Sequence, residues 1–488
     1  MKHASAVVAA ALAAVVVGHA DAAVRYVNVA LTAGADNGTT WDNAYRTVDG
    51  VSRALAASVS GDEVWVAAGT YKPTTGTSRT VFITLKTGVA VYGGFAGSET
   101  ALSQRSVGTN VVTLSGDLLG NDNGTTTNLA DNSYHVVVGS SVATSAVLDG
   151  FTIRGGYANG ATASNYDKGG GILVLTSGNP TVRQCRFIGN RCTFGGGAGY
   201  IFGASGSFVD CEFTDNIGGS YGGAFDTNGT TVRWERCLFR NNQAVRAGAI
   251  ESFGSSQSTI INCVFVLNRA TSTNSGGAIW AGTSSSVTVR NSTFVGNSAA
   301  ATTGGGFYNT SGTSTLANCI FWGNTGNGGA TANNQVTAAG GTNTVSYSLV
   351  QGGITGTGNI SATPTFVDQA AYNLRLQPTS AGIDAGSNSL IPSGVSIDFD
   401  GKPRRADIVA VADTGIGGAP VVDMGAFEVQ PPPPPACPAD LNNDGAVGGT
   451  DLASILSAWG AAEGDVNGDG TTDGADLTEA LSAWGPCP

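Results

Sequence analysis

Charge is the first thing this sequence is short of. Of 488 residues, only 12% are Asp, Glu, Lys or Arg, about half the usual share. Lys plus Arg number 23 against 35 Asp plus Glu, a formal charge of −12. The basic footprint that nucleic acid or an anionic membrane would require is therefore missing. Histidine is scarce as well. His3 and His19 lie in the first 22 residues, which leaves His135, too few for a His-based hydrolase or a His-rich zinc site. No apolar run reaches the ~20 residues that span a bilayer as a helix. The composition of a long helical protein is absent, and so is a collagen triplet period. What is abundant is glycine, at 73 residues, within a chain that is 41% hydrophobic. Such a chain can bury a large core while its polar surface relies on Asn, Ser and Thr.

Residues 1–22 are expected to be a secretory signal peptide. Lys2 and His3 precede an apolar run from Ala6 to Val17, and Ala20-Asp21-Ala22 forms a small-x-small cleavage site. Cleavage removes one Lys and one Asp, so the net charge stays the same. Export makes disulfides an option for the eight cysteines.

The middle of the chain repeats itself. A small-small-small-apolar motif recurs as Gly169–Ile172, Gly222–Phe225, Ala247–Ile250, Gly276–Ile279 and Gly304–Phe307, with a degenerate copy at Gly196–Gly199. A second motif, C-x-F-x-x-N, follows each copy: Cys185/Phe187/Asn190, Cys211/Phe213/Asn216, Cys237/Phe239/Asn242, Cys263/Phe265/Asn268 and Cys319/Phe321/Asn324, with Ser292/Phe294/Asn297 in fifth place. The intervals are 26, 26, 26, 29 and 27 residues. That period admits a leucine-rich horseshoe or a β-solenoid. The horseshoe needs several Leu and a helical turn per repeat, and neither is present. The reading is therefore all-β: a right-handed parallel β-helix over 23–365, one coil per repeat, with columns of Cys, Phe and Asn stacked at the ~4.8 Å strand spacing. The thiols read as small buried apolar groups, with ladder disulfides permitted but not required. Asn43 to Ser58 reads as an amphipathic helix covering the first coil, and 366–429, where the period fades, as a cap at the other end.

Strand alternation then singles out one outer row. If Ile172, Phe225, Ile250, Ile279 and Phe307 point inward, Leu173, Tyr200, Asp226, Glu251, Trp280 and Tyr308 point outward. Asp226 and Glu251 fall on adjacent coils and are the candidate catalytic pair. Tyr200, Trp280 and Tyr308 are candidate platforms for stacking sugar rings. The other reading of this row is a solvated strand face. Lys168 and the arginines are candidate lyase bases that no spacing singles out.

Pro431 to Pro435 form a proline run, and 430–436 reads as a semi-rigid linker. Beyond it a unit is duplicated. Asp440-x-Asn442-x-Asp444-Gly445 runs on to Asp451, and Asp465-x-Asn467-x-Asp469-Gly470 to Asp476. Both follow the calcium-loop pattern through its glycine. The expected ligands of two Ca²⁺ ions are Asp440, Asn442, Asp444, Ala446 and Asp451 in one loop. In the other they are Asp465, Asn467, Asp469, Thr471 and Asp476, with Asp473 through water. Each loop opens onto a helix whose apolar face reads as Leu452/Leu456/Trp459 or Leu477/Leu481/Trp484. A bridge between Cys437 and Cys487 would clasp the two ends.

These residues carry two resemblances. Residues 437–488 resemble a type I dockerin, a small all-α module that binds cohesin receptors, although Gly449-Thr450 and Gly474-Ala475 stand where Ser/Thr pairs are familiar. Asp36–Trp41, Ala68–Tyr71 and Tyr92–Phe95, with Ser380–Gly386, Asp398–Gly401 and Asp423–Glu428, resemble the bacterial surface β-helix proteins called choice-of-anchor Q. The resemblance implies a β-helix at the cell surface and no defined reaction. The paired aspartates and Gly-His-Gly segment of polygalacturonases are missing. Two function classes follow. One is a secreted polysaccharide-processing enzyme, a lyase or glycoside hydrolase, displayed through its tail. The other is a non-catalytic structural or adhesive surface protein. Both would use a cohesin-like receptor, and neither a nucleic acid nor a membrane span.

Overall fold

The computed structural model describes residues 22–123, 127–273, 275–300, 304–327, 329–408, 411–431 and 437–487. Most of the expected signal peptide and Pro432–Pro435 lie outside them. The chain divides into two units, Met1–Val429 and Gln430–Pro488.

The first unit is a parallel β-solenoid of about ten coils, with three faces. Sheet I has 11 strands, sheet II has 9 and sheet III has 10. Sheet I runs from Val24–Val27 to Thr342–Ser346, sheet II from Ile83–Thr84 to Val336–Ala338, and sheet III from Gly69–Tyr71 to Leu349–Val350. The register is the one the period predicts. On sheet III, Phe187, Phe213, Phe239, Phe265, Phe294 and Phe321 pair in succession. Their ring centroids lie 5.2, 4.8, 4.6, 4.5 and 4.4 Å apart along the stack. Ile153 and Val350 continue the column at its two ends.

The asparagines do more than tolerate a turn. From Asn216 to Asn324, Nδ2 donates to the carbonyl of the Phe in the coil before, as Asn242 does to Phe213 at 2.8 Å, while Asn190 donates to Ile153. Oδ1 accepts the backbone N–H of the preceding Asn, 3.1 Å from Asn216 N. Every such group is fully buried, so each amide satisfies backbone atoms that water cannot reach. Gln335, on the short helix Ala332–Gln335, ends the column: Asn324 Nδ2 donates to its Oε1 at 2.7 Å.

The cysteine column is polar, contrary to its reading as a row of small apolar groups. Cys237 N donates to Cys263 Sγ at 3.4 Å, Cys263 N to Ser292 Oγ at 3.1 Å and Cys319 N to Ser348 Oγ at 3.1 Å. A hydroxyl does the same work as a thiol there, which explains Ser292. All six solenoid cysteines are free and buried. The middle residue of each corner motif is small for want of space. A Cβ on Gly197, Gly223, Gly248 or Gly277 would lie 2.1–2.6 Å from the carbonyl oxygen of the equivalent residue one coil on.

The N-terminal helix is shorter than expected, at Gly50–Ala57. Upstream, Tyr45 runs extended beside Val27 as a parallel bridge, and that pairing removes its backbone from any helix. Val51, Ala54 and Leu55 face the core. The segment 366–429, expected as an end cap, packs instead on the flank of sheet III. Phe366, Leu374, Leu376, Met424 and Ala426 cover Val264, Val295, Ile320 and Leu349. The last coil is shielded by Thr357 and Ile360, whose carbonyls accept from Tyr347 and Val350.

The second unit has two helices, Gly449–Ser457 and Gly474–Ser482, a two-residue pairing of Ala446–Val447 with Gly485–Pro486, and a Cys437–Cys487 disulfide. Its small core is Ala439, Val447, Ile455, Val466 and Ala480. The helix faces expected to be buried are not: Leu456, Trp459, Leu481 and Trp484 are each 53–54% exposed. Ile455 and Ala480, one position earlier, are the inward residues, because each helix turns inward the face that carries Asp451 or Asp476.

Asn242→Ala is expected to cost about 2–4 kcal/mol, since it strands Phe213 O and Asn216 N–H in the core. Cys263→Ser is expected to cost less than about 1 kcal/mol, within the range of tolerated substitutions. Urea denaturation midpoints of the two variants check this, and equal costs would contradict it.

Candidate functional site

The outer row of sheet II forms in the expected register. Leu173, Tyr200, Asp226, Glu251, Trp280 and Tyr308 pair in sequence along it. Asp226 and Glu251 are thus brought together on adjacent coils. The row is not an open groove, however. Asp226 is 5% exposed, Glu251 2%, and Tyr200, Trp280 and Tyr308 are 4–6% exposed.

The cover comes from the segments that lead into each corner. Arg246 crosses above the row. Its guanidinium lies 4.0 Å from the Trp280 ring centre and 4.5 Å from that of Tyr221, and it forms a two-pronged ion pair with Glu251. Lys168 pairs with Asp167 at 2.7 Å and sits 4.8 Å from the Phe194 ring centre. Gly195 lies so close to Asp226 that a Cβ there would collide with Oδ2. One face of Trp280 is therefore occupied by Arg246, Lys168 Nζ lies 5.9 Å from the Tyr200 ring centre, and the burial of both rings leaves them no room to stack a sugar in this arrangement.

Burial governs the electrostatics. Desolvation, then the neighbouring Glu251 charge, push the Asp226 carboxyl well above its usual range, while Arg246 and Lys168 offset part of the rise. Burial also raises Glu251, opposed by its bond to Arg246. Two carboxylates this close in a dry setting favour sharing a proton. His135 is buried with Nδ1 3.0 Å from Gly169 O, and burial lowers its pKa to about 4. It is neutral at pH 7.

A concave polar site lies elsewhere, where the residue patterns gave no signal. A cavity of about 310 Å³ is lined by Asp122, Asn132, Arg154, Arg191 and Asp215, with Gly155, Gly156 and Gly189 at its floor. Asp122 Oδ1 and Asn132 Oδ1 are buried acceptors without a donor among the described residues. Asp122 is held by Asn132 Nδ2 at 2.8 Å through its other oxygen, and burial raises its pKa. Neither Arg154 nor Arg191 enters an ion pair among the described residues. The lining draws on residues as far apart as 122 and 215, which no local motif could disclose. The letters Gly218-Gly219-Ser220-Tyr221-Gly222 match a nucleophile elbow, but here they form a bend between two strands with no helix after it.

In the second unit the acidic loops are shaped by their own amides. Each bends at a glycine with left-handed backbone, Gly445 at φ +89° and Gly470 at φ +97°. Asp440 accepts from the Asp444 and Gly445 amides at 3.1 and 2.9 Å, and Asp465 likewise from Asp469 and Gly470. Asn442 and Asn467 each bond to the aspartate two residues on. Asp451, held by the Gly448 amide, and Asp476, held by the Asp473 amide, are kept below the ordinary carboxylate range. Residues 437–487 contain nine carboxylates and no Lys or Arg. An all-oxygen donor set of that charge fits Ca²⁺.

Residues 120–294 match the family model described as the right handed beta helix region. A metabotropic glutamate receptor-like protein P from Dictyostelium discoideum is 34% identical over 96 residues, 20% of this chain. The match spans about 7% of that relative's length. The crystal structure of pectate lyase Pel9A covers 84% of this chain and 97% of its own, at 14% identity and a TM-score of 0.41. Among the described residues no helix is long and apolar enough to cross a membrane.

Because the folded state holds the Asp226 proton more tightly than the unfolded chain, its contribution to stability is full below the unfolded value of 3.8 and is lost as pH rises through the folded value. Asp226→Asn, which also relieves repulsion with Glu251, is expected to stabilise the solenoid at pH 8 by roughly 1–2 kcal/mol. The gain should vanish towards pH 4. Denaturation midpoints across this range check it, and a loss of stability at pH 8 would refute it.

Proposed function

We propose that the chain is an exported, surface-displayed β-helix that binds an acidic extracellular polysaccharide, and that its tail attaches it to a receptor in a calcium-dependent, dockerin-like manner. The observation that carries the first half is the 310 Å³ cavity, whose lining includes Arg154 and Arg191, neither of them in an ion pair among the described residues. A uronate unit offers what this lining lacks: a carboxylate for an arginine, which can bind it bidentately. The volume is at the lower end for ligand sites, in keeping with one sugar unit of a longer chain.

The burial of Asp226 and Glu251 favours binding without bond cleavage over the lyase or hydrolase reading. Their carboxylates are engaged by Arg246 and packed under Gly195, so neither reaches a glycosidic bond without displacement of that cover. The adhesive, non-catalytic reading is thus the stronger of the two.

For the tail, the supporting features are the duplicated loops and two equivalent exposed pairs, Leu456/Trp459 and Leu481/Trp484. An apolar pair repeated at the same helix position offers a receptor two like footprints. Asp440, Asn442, Asp444, Ala446 and Asp451 would hold one ion, and Asp465, Asn467, Asp469, Thr471 and Asp476 the other, with Asp473 through water. Neutralising these carboxylates is what would let the loops close.

Arg191→Ala and Arg154→Ala are each expected to weaken binding of uronate oligosaccharides at least tenfold, about 1.4 kcal/mol. Calorimetry on the folded variants reads this, with neutral glycans as the control and product analysis for cleavage. Unchanged affinity would remove the cavity from consideration. Chelation by EDTA is expected to lower helical circular dichroism and Ca²⁺ to restore it, with Asp465→Ala losing about half of the response. A spectrum indifferent to chelator would end the calcium reading of the tail.

A further inference from the structure

The segment that flanks sheet III buries several carboxylates, and all but one are fully used. Asp398 Oδ1 accepts from the Asp400 and Lys402 amides and Oδ2 from Glu428 N. Asp423 accepts from the Asp384 and Val429 amides at 2.8 and 2.7 Å. Glu428 accepts from the Ala406 and Asp423 amides and lies 3.4 Å from Arg404. These residues form a closed network whose purpose is to hold an irregular backbone.

Asp384 breaks the pattern. It is fully buried, yet neither carboxylate oxygen has a hydrogen-bond partner among the described residues. Its backbone is committed: the amide donates to Asp423, and the carbonyl accepts from Thr414 and Gly415, both at 2.9 Å. It takes a left-handed φ of +49°. The carboxylate is thereby placed against the loop that carries Asp407 and Asp413. One oxygen from each of the three aspartates lies within 4.8 Å of the others. Burial, then the charges of Asp413 and Asp407, raise the Asp384 pKa to about 6. Two carboxylates gathered beside a donor-less buried third repel it and each other unless something positive lies between them.

We propose that Asp384, Asp407 and Asp413 form a divalent-cation site, for Ca²⁺ by its chemistry, that ties Asp407 and Asp413 to the buried Asp384. The donors are hard oxygens only, which disfavours the softer transition-metal ions. Ca²⁺ accepts six to eight oxygens in a flexible shell, whereas Mg²⁺ demands a near-ideal octahedron, so carboxylates arriving from separate positions suit the larger ion. The remaining positions fall to water on the exposed side of Asp413 and to backbone carbonyls. This site is separate from the two loops of the tail and does not depend on them.

The test uses the full-length chain carrying Asp440→Ala and Asp465→Ala, so that the tail loops are crippled. After removal of metal, CaCl₂ is titrated calorimetrically, with ⁴⁵Ca²⁺ equilibrium dialysis for stoichiometry. One ion per chain is expected. Asp384→Asn, whose amide side chain tolerates the left-handed backbone, and separately Asp413→Asn, at an exposed position, are each expected to weaken it at least tenfold. A chain that binds no Ca²⁺ on this background would overturn the proposal, and so would one ion whose affinity neither substitution changes. The wild-type chain distinguishes the two calcium readings. One ion there and one in the crippled chain would leave the flank site standing and the tail reading without support.

Discussion

Stacking in register is the constraint from which the rest of this molecule follows. Each coil must present its backbone N–H and C=O groups to the next, and the turns between strands interrupt that ladder. The asparagine column repairs it. One amide side chain per coil accepts the N–H of one neighbour and donates to a carbonyl of another, as between Asn190, Asn216 and Asn242. Because the repair depends on the same residue recurring above itself, the period is held near 26 residues while loops elsewhere lengthen it to 29. The glycine corners obey the same rule, since carbonyl oxygens of successive coils approach too closely there for a Cβ.

Stacking also turns single residues into rows, and rows behave unlike isolated side chains. On the inside, rows of Phe gain ring-on-ring contact beyond the area they bury. On the outside of sheet II, the same geometry brings Asp226 beside Glu251, a placement that costs free energy unless cations attend it. Arg246 and Lys168 supply them, at the expense of closing the row to solvent. A pair of acids that looks catalytic in projection is thus the centre of a covered ion network.

The carboxylates of the flanking segment and of the tail loops differ in how they are used. Those of the Asp398, Asp423 and Glu428 network are spent on backbone amides and hold an irregular segment in place. Those of the tail loops are partly spent on amides and partly directed inwards, in a unit with no basic residue to balance them. Asp384 is spent on nothing. The contrast among neighbours of one chemistry, rather than acidity itself, is what marks the positions where a cation would complete the structure.

Much of the solenoid was legible in the sequence because its contacts are periodic. The spacing of Phe187 to Phe321 and of Asn190 to Asn324 is itself the list of neighbours, so fold and register could be read from the residues. Cys437 and Cys487, at the ends of a small unit, were legible as a pair for a similar reason. Exposure was not. Whether Tyr200, Trp280 and Tyr308 face water depends on Phe194, Tyr221 and Arg246, which belong to corner segments without a period. Nor could local pattern show that 366–429 lies along sheet III instead of across its end, or that residues 122, 154, 191 and 215 share a hollow. A repeat encodes what lies one coil away; what lies across the surface is set by the irregular segments that fold over it, and their contacts exist only in three dimensions.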